Sequence, residues 1–273
     1  VQKRWLLFSA AALIVIVFAA FLVLNIKKSN APLSIDQSKS GSISNLLAQA
    51  KSLEMAGSLL EAKEAYQKLV NNFSNSGEIM NWQKKVESLN IKLLFSPAIT
   101  ERSIFYEIKP GDTLTKIAKE YKTTTDLIIK SNNLSDDKIL PGRKIKVWTA
   151  LFSIVVDKSQ NTLILKTNEE IIKTYIVSTG ANNSTPTGNF KIVNKLQNPP
   201  WYKAGAIVPP DSPENILGTR WLGFDSPGYG IHGTTDPQSL GRQVTKGCVR
   251  MFNADVEELY TIIPVGTEVT IID

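Results

Sequence analysis

One cysteine and one histidine, Cys248 and His232, stand sixteen residues apart in a run reading Tyr229-Gly-Ile-His-Gly-Thr to Thr245-Lys-Gly-Cys-Val-Arg-Met251. A thiol attacks well only when a base takes its proton, and the sole imidazole of the chain lies on the segment just ahead of the sole thiol. The pair suits cysteine-based acyl transfer. Cys248 is flanked by Gly247, Lys246 and Arg250, and nearby cations lower a thiol's pKa and enrich the thiolate. The plainer readings are a buried cysteine acting as a small hydrophobe and a histidine satisfied in the core after Ile231. A zinc site wants three or four Cys, His or acidic ligands, so no metal is expected, nor any other cofactor.

Net charge is +6 overall, divided as +4 over residues 1–35, +1 over 36–103, +3 over 104–148 and −2 over 149–273, where ten cations meet twelve anions. The segment holding the thiol is therefore not basic, whereas a nucleic-acid enzyme carries its positive field on the working domain. Nucleic acid is excluded as a partner on that ground. One cysteine cannot form an internal disulfide, and a lone thiol in an oxidising compartment reads as a reactive group.

The elements around the pair suggest a multidomain chain. From Trp5 to Leu24 every residue but Ser9 is apolar, and twenty residues at 1.5 Å rise match a hydrocarbon core of about 30 Å. A signal peptide has a shorter apolar core, about 7–15 residues, and the best cleavage site, Ser29-Asn-Ala31, is obstructed by Pro32. Residues 1–28 are thus read as a single-pass transmembrane anchor in the cytoplasmic membrane. Residues 29–44, rich in Ser, Asn and Lys, read as a linker. Over 45–97 apolar residues recur at helical spacing through Leu60, Ala62, Ala65, Tyr66, Leu69 and Phe73, with Trp82, Val86, Leu89 and Leu93 offering a further helix. The pattern resembles one tetratricopeptide (TPR-like) helix pair, and its readings are an α-helical spacer or a groove for a protein partner.

Residues 104–148 predict a strand, two helices and a strand, with turns at Pro110-Gly111 and Pro141-Gly142. Tyr106 and Ile108, the run Pro110-Gly-Asp-Thr-Leu114, Ile117-Ala118, Asn132 and Leu140-Pro-Gly142 make this small βααβ module resemble a LysM domain. The resemblance implies binding to N-acetylglucosamine-containing glycan through the loops at one end of the helices. Gly111, Asp112, Thr113, Leu134 and Ile139 are the glycan-binding candidates it suggests. Each has an equal claim to a turn or cap role, since Asp and Thr at a helix start satisfy free N–H groups.

From Ser153 the period becomes two, and short strands joined by polar turns follow. About two dozen residues after Ile192 read as a Pro-rich loop in which Trp201 and Tyr202 could stack on substrate. A helix over 254–263 and a final strand over 268–272 close a mostly-β domain, residues 151–273. Ser178-Thr-Gly180, Thr185-Pro-Thr-Gly188, Pro199-Pro-Trp201, Asn215-Ile-Leu-Gly218, Ile231-His-Gly233 and Gly247-Cys-Val-Arg-Met251 together resemble the L,D-transpeptidase catalytic domain of the YkuD type. Lys246 stands where many members have a second histidine, so that residue's role does not carry over.

The resemblance implies a cysteine-dependent peptidoglycan L,D-transpeptidase acting outside the membrane, in periplasm or wall. His232 would take the Cys248 proton; the thiolate would attack the third residue of a tetrapeptide stem, expel D-alanine and leave a thioester. An amine from another stem would then give a 3→3 cross-link. Gly233 would offer its carbonyl to the imidazole, and the N–H groups of Gly247 and Cys248 would serve the oxyanion. Arg250 would hold a substrate carboxylate or pair with Asp255 or Asp225. Thr245 would orient His232 or the loop, Tyr229 would line the cleft, and Trp201 would touch substrate. Water or a protein amine as acceptor would make the chain an L,D-carboxypeptidase or a protein-attaching enzyme instead. The reading of another class is a wall-binding scaffold without chemistry.

Overall fold

The computed structural model describes residues 37–273 except Glu169 and Ala204. Residues 46–273 make one compact unit. The span expected at Trp5–Leu24 lies outside the described residues; among those described, no helix is long and apolar enough to cross a membrane.

Helix α1 (Gln37–Met55) starts inside the stretch read as a linker. After Pro32 only Gly41 opposes a helix there, and one interior glycine costs about 1 kcal/mol, which a long helix tolerates. Helices α2 (Leu59–Asn72) and α3 (Ile79–Leu94) pack on each other. They bury Ala62, Ala65, Tyr66 and Leu69 on α2 and Trp82, Val86 and Leu89 on α3, the apolar positions at three- and four-residue spacing. Glu54 at the end of α1 gathers Lys85 and Lys92, each at 3.0 Å.

The LysM-like module pairs β1 (Ser103–Glu107) antiparallel with β2 (Lys144–Trp148), with Tyr106 opposite Ile145. Between them lie α4 (Leu114–Glu120) and α5 (Thr125–Ser131), capped by Thr113 and Thr124 through their hydroxyls. Tyr106, Ile108, Leu114, Ile117, Ile128 and Val147 form its core.

Residues 152–272 are built on an eight-stranded sheet. Its strands are β3 (Phe152–Asp157), β4 (Thr162–Thr167), β5 (Glu170–Ile176), β7 (Gly188–Gln197), β10 (Arg220–Phe224), β11 (Gly230–His232), β13 (Val249–Arg250) and β14 (Glu268–Ile272). The spatial order is β13-β11-β10-β7-β14-β3-β4-β5, parallel only at β11–β13 and β14–β3. Alternating burial along β3 and β4 sends Ile154, Val156, Leu163 and Leu165 inward, the half-buried pattern of period two. Helix α6 (Asn253–Ile262) adds Val256, Leu259 and Ile262. Part of the expected Pro-rich loop is a hairpin, β8 (Trp201–Lys203) with β9 (Ala206–Val208). A further small pair joins β6 (Thr179–Gly180) to β12 (Gln243–Thr245).

The helical segment is not a spacer. Strand β5 is an edge of the sheet, and α3 lies along it. Asn90 Nδ2 donates to the carbonyls of Ile171 at 3.3 Å and Ile172 at 3.0 Å, while the Thr174 N–H donates to Glu87 Oε1 at 3.2 Å. Lys63 and Arg102 both pair with Glu170. Open edges template unwanted pairing, and covering one with a helix is a usual remedy. Ile91 and Leu94 of α3, Leu127 of α5 and Trp148 of β2 belong to the same continuous core as the sheet.

Lys146 locks the module to the helices. Its buried ammonium donates to Leu93 O at 2.7 Å and Ser96 O at 2.9 Å, just where α3 ends, and burial pulls its pKa down to about 8. Lys195 caps the end of α6 in the same way, donating to Tyr260 O at 2.6 Å and Ile263 O at 2.9 Å, also with a pKa near 8.

Two outcomes follow for stability. Both lysines have folded-state pKa values below the ordinary 10.5, so the unfolded chain binds more protons above pH 8. Unfolding free energy should therefore rise from pH 8 toward pH 10 and be flat in this respect below 8; urea titrations of the native chain and Lys146→Met, with a shallower rise in the variant, check it. Asn90→Ala should cost about 1–3 kcal/mol by leaving two edge-strand carbonyls without their donor, read as a lower urea midpoint at unchanged slope.

Candidate functional site

The parallel pairing of β11 and β13 sets Ile231 beside Val249 and His232 beside Arg250. Paired strand residues project to one side, and alternate residues along a strand do the same. Cys248 immediately precedes β13, the strand paired with the one that carries His232. On the other flank β10 pairs Trp221 with His232, and the indole stacks on the imidazole with ring centroids 6.1 Å apart and planes 19° from parallel.

His232 is buried, and its Nδ1 lies 2.6 Å from the Gly233 carbonyl. A carbonyl can only accept, so Nδ1 carries the proton and Nε2 keeps its lone pair. Burial, with a smaller push from the Arg250 charge, lowers the imidazole pKa to about 4. The ring is neutral at physiological pH.

Cys248 is half-buried, and Sγ donates to Gly228 O at 3.4 Å. Burial pushes its thiol pKa up; the Gly230 backbone and Arg250 counter this only in part. The cations flanking Cys248 in sequence therefore do not make a resting thiolate. Lys246 is exposed, its charge screened by solvent, and Arg250 is outweighed by desolvation. Burial thus leaves the thiol and the imidazole both neutral at rest.

Thr245, on β12, holds the loop that carries Cys248. Its hydroxyl donates to Cys248 O at 2.7 Å and accepts the Gly247 N–H at 3.2 Å. This corrects the assignment of the Gly247 N–H to an oxyanion, because that donor is already spent on Thr245. Gly247 is needed for space instead. Its φ is +129°, and a Cβ there would lie 2.8 Å from Tyr229 Cε1. Gly180 on β6 backs the loop, where a Cβ would come within 3.0 Å of Gly247 Cα.

Arg250 makes neither expected salt bridge. Asp255 pairs with Lys173 at 3.7 Å and Asp225 accepts the Lys191 N–H at 3.1 Å. The guanidinium donates through Nη1 to Ser239 Oγ at 2.8 Å, while Nε is buried with no partner among the described residues. Such an orphan donor costs about 1–3 kcal/mol unless something accepts from it.

Trp201 sits on the β8–β9 hairpin with Lys203 Nζ 5.6 Å over its ring, and none of its described contacts reaches His232 or Cys248. The LysM-side candidates are occupied internally. Asp112 accepts from Tyr106 Oη and Lys109 N, both at 2.8 Å, Thr113 caps α4, and Gly111 occupies a turn at φ +85°. Leu134 and Ile139 pack on the module's core. Asp112 and Thr113 thus fill the turn and cap roles open to them from the start.

Three residues of the site escaped the sequence reading. Trp221 was visible as an aromatic in a motif, but only strand register puts it on His232. Ser239 gave no signal. Asn253 accepts through Oδ1 from the Thr234 N–H at 2.9 Å and the Thr219 N–H at 3.3 Å, tying the strand ends that flank His232. Its place five residues after Cys248 was the available hint.

Residues 152–271 match the YkuD family, described as the L,D-transpeptidase catalytic domain, and residues 106–148 match the LysM domain. A protein of Bacillus subtilis (strain 168) named as an L,D-transpeptidase, YkuD, is 36% identical over 173 residues, covering 61% of this chain and 97% of that one. Its namesake in Bacillus licheniformis is 35% identical over 176 residues, 62% of this chain and 98% of that one. A second Bacillus subtilis protein named as an L,D-transpeptidase, YqjB, is 40% identical over 126 residues, 44% of this chain and 70% of that one.

The neutral pair makes two outcomes measurable. Iodoacetamide labelling of Cys248 should follow a single thiol titration with a midpoint above that of an ordinary cysteine; a labelling plateau near pH 6 would mean a resting thiolate–imidazolium pair and overturn the assignment. The folded His232 pKa lies below the ordinary 6.5, so its contribution to stability is complete above pH 6.5 and is lost as pH falls toward 4. The shift is worth about 3 kcal/mol, and His232→Gln should unfold with a correspondingly weaker acid dependence in urea titrations between these pH values.

Proposed function

The chain belongs to the L,D-transpeptidase family of the YkuD type, and from that premise we propose that it forms 3→3 cross-links between peptidoglycan stems, with Cys248 as nucleophile and His232 as base. The observation that carries this reading is the 2.6 Å contact from Nδ1 to Gly233 O. It leaves Nε2 as the proton acceptor of the ring.

Sγ first turns from the Gly228 carbonyl toward Nε2; catalytic hydrogen bonds are often loose before substrate arrives. His232 then takes the thiol proton as sulfur attacks the carbonyl of the third stem residue. The tetrahedral oxyanion is met by the Cys248 N–H, the backbone donor beside the nucleophile, and removal of one such donor typically costs about 2.7–4 kcal/mol. Collapse expels D-alanine, whose amine receives the proton back from Nε2, and leaves a thioester on Cys248. The side-chain amine of another stem's third residue attacks next, gives its proton to His232, and frees the thiol. Splitting acyl transfer this way replaces one hard step with two easier ones. The unpartnered Arg250 Nε–H is the natural donor to a substrate carboxylate, Trp221 holds the imidazole plane, and Tyr229 and Thr245 shape the loop.

The LysM domain brings the chain to its wall polymer, which raises the local concentration of stems. The working domains act on peptidoglycan and so outside the cytoplasm; Trp5–Leu24 as a membrane anchor completes this reading.

Intact-mass analysis of the full chain in detergent, incubated with a disaccharide-tetrapeptide, tests it. An acyl adduct on Cys248, released D-alanine and a dimeric product are expected. Cys248→Ala should abolish all three, and His232→Ala should slow adduct formation by about two to four orders of magnitude, the range of general-base catalysis. Adduct and D-alanine without dimer would make water or a protein amine the acceptor. Normal turnover by Cys248→Ala would overturn the mechanism.

A further inference from the structure

A cleft of about 890 Å³ opens between the LysM domain and the catalytic domain. Thr123, Thr125 and Asp126 line it from one side, and Ser153, Lys195 and Thr267 from the other. None of the loop residues from which the LysM resemblance drew its glycan candidates, 111–113 and 134–139, takes part. Its size falls within the range of small-molecule sites.

Thr123 is the informative residue. It is only 5% exposed, yet its Oγ1 meets no hydrogen-bond partner among the described residues. The neighbouring hydroxyls are engaged: Thr124 bonds to Thr261 O, and Thr267 donates to Pro264 O at 2.7 Å. A buried hydroxyl left alone is a net cost that a ligand group relieves. Thr123 is among the residues that line the cleft.

Charge narrows the occupant. Lys119, Lys122 and Asp126 on the LysM wall face Lys195 and Glu268 on the other, so each wall carries both signs and a strongly anionic or cationic ligand meets its own sign on either. Tyr260 has Lys195 Nζ 4.1 Å and Arg220 Cζ 5.4 Å from its ring centroid, so its ring already has cationic partners. What fits is a neutral chain rich in hydroxyl and amide groups, able to give and accept hydrogen bonds along both walls.

We propose that this cleft is a second glycan site, taking N-acetylated amino sugars of the strand whose stems the catalytic domain processes. The proposal rests on the peptidoglycan reading above. Because both walls belong to one compact unit with a shared core, a strand held there and at the LysM loops has its direction set relative to the sheet. Two linked sites also hold one polymer far better than either alone.

Calorimetric titration of the full chain in detergent with the tetramer of N-acetylglucosamine tests this. Two sites per chain are expected. Val265→Trp, an exposed position on the rim, should fill the cleft and leave one site. Thr123→Val should weaken the cleft site about tenfold, and should raise the melting temperature of the free chain because the orphan hydroxyl is gone. Leu140→Asp, on the exposed LysM loop, should spare the cleft site. A single site that Leu140→Asp abolishes, or two sites that persist unchanged in both Val265→Trp and Thr123→Val, would overturn the proposal. D-alanine release by the unsubstituted chain judges the transpeptidase reading separately, since it does not depend on the titration.

Discussion

The pairing of β11 with β13 is the contact on which the site depends. Two strands of three and two residues run parallel, an arrangement that requires a long crossover because parallel neighbours cannot be joined by a tight turn. The crossover carries β12 and the Thr245 to Cys248 loop, which leads directly into β13. Reciprocal bonds between Ser178 and Arg250, at 2.9 and 2.8 Å, hold the outer edge of β13. Asn253 ties the two strand ends near His232 from behind. Nothing in this frame leaves room for a side chain at Gly180 or Gly247, which is why glycine stands at both.

Electrostatics in this frame follow from burial more than from neighbouring charge. Arg250 lies beside His232 in register and favours ionisation of the thiol while opposing protonation of the ring, but desolvation is the larger effect on both. A thiolate–imidazolium pair would place two charges in a setting that disfavours each, so the neutral pair prevails until substrate changes the surroundings. In the proposed mechanism the proton transfer is therefore coupled to the attack instead of preceding it. A weakly reactive resting thiol also suits a lone cysteine exposed to oxidants.

The domains are parts of one body. The eight-stranded sheet would present β5 as an open edge, and α3 closes it with the Asn90 amide and the Glu87 carboxylate. Lys146 then ties the end of α3 to β2 through two carbonyls, and Trp148 and Leu127 carry the sheet's core into the LysM domain. Wall recognition and catalysis are consequently held at a fixed mutual orientation, unlike domains on a flexible linker, where only effective concentration is shared.

Much of this was legible in the residue order. Period-two burial predicted β3 and β4, the three- and four-residue spacing of Ala62, Ala65, Tyr66 and Leu69 predicted α2, and turn glycines and caps marked the βααβ module, because these patterns depend on neighbours along the chain. Cys248 and His232 stood out by type and scarcity, and Gly233 by its place after the imidazole. What needed the tertiary structure were relations between segments far apart in sequence: Trp221 stacked on His232, Ser239 under Arg250, Thr245 taking the Gly247 N–H, and a helical segment packed on a sheet edge instead of spanning a gap. The sign of the thiol shift belongs to the same class. Sequence shows which charges flank a cysteine, whereas the solvent removed from around it is a property of the whole fold, and here that desolvation outweighs the charges.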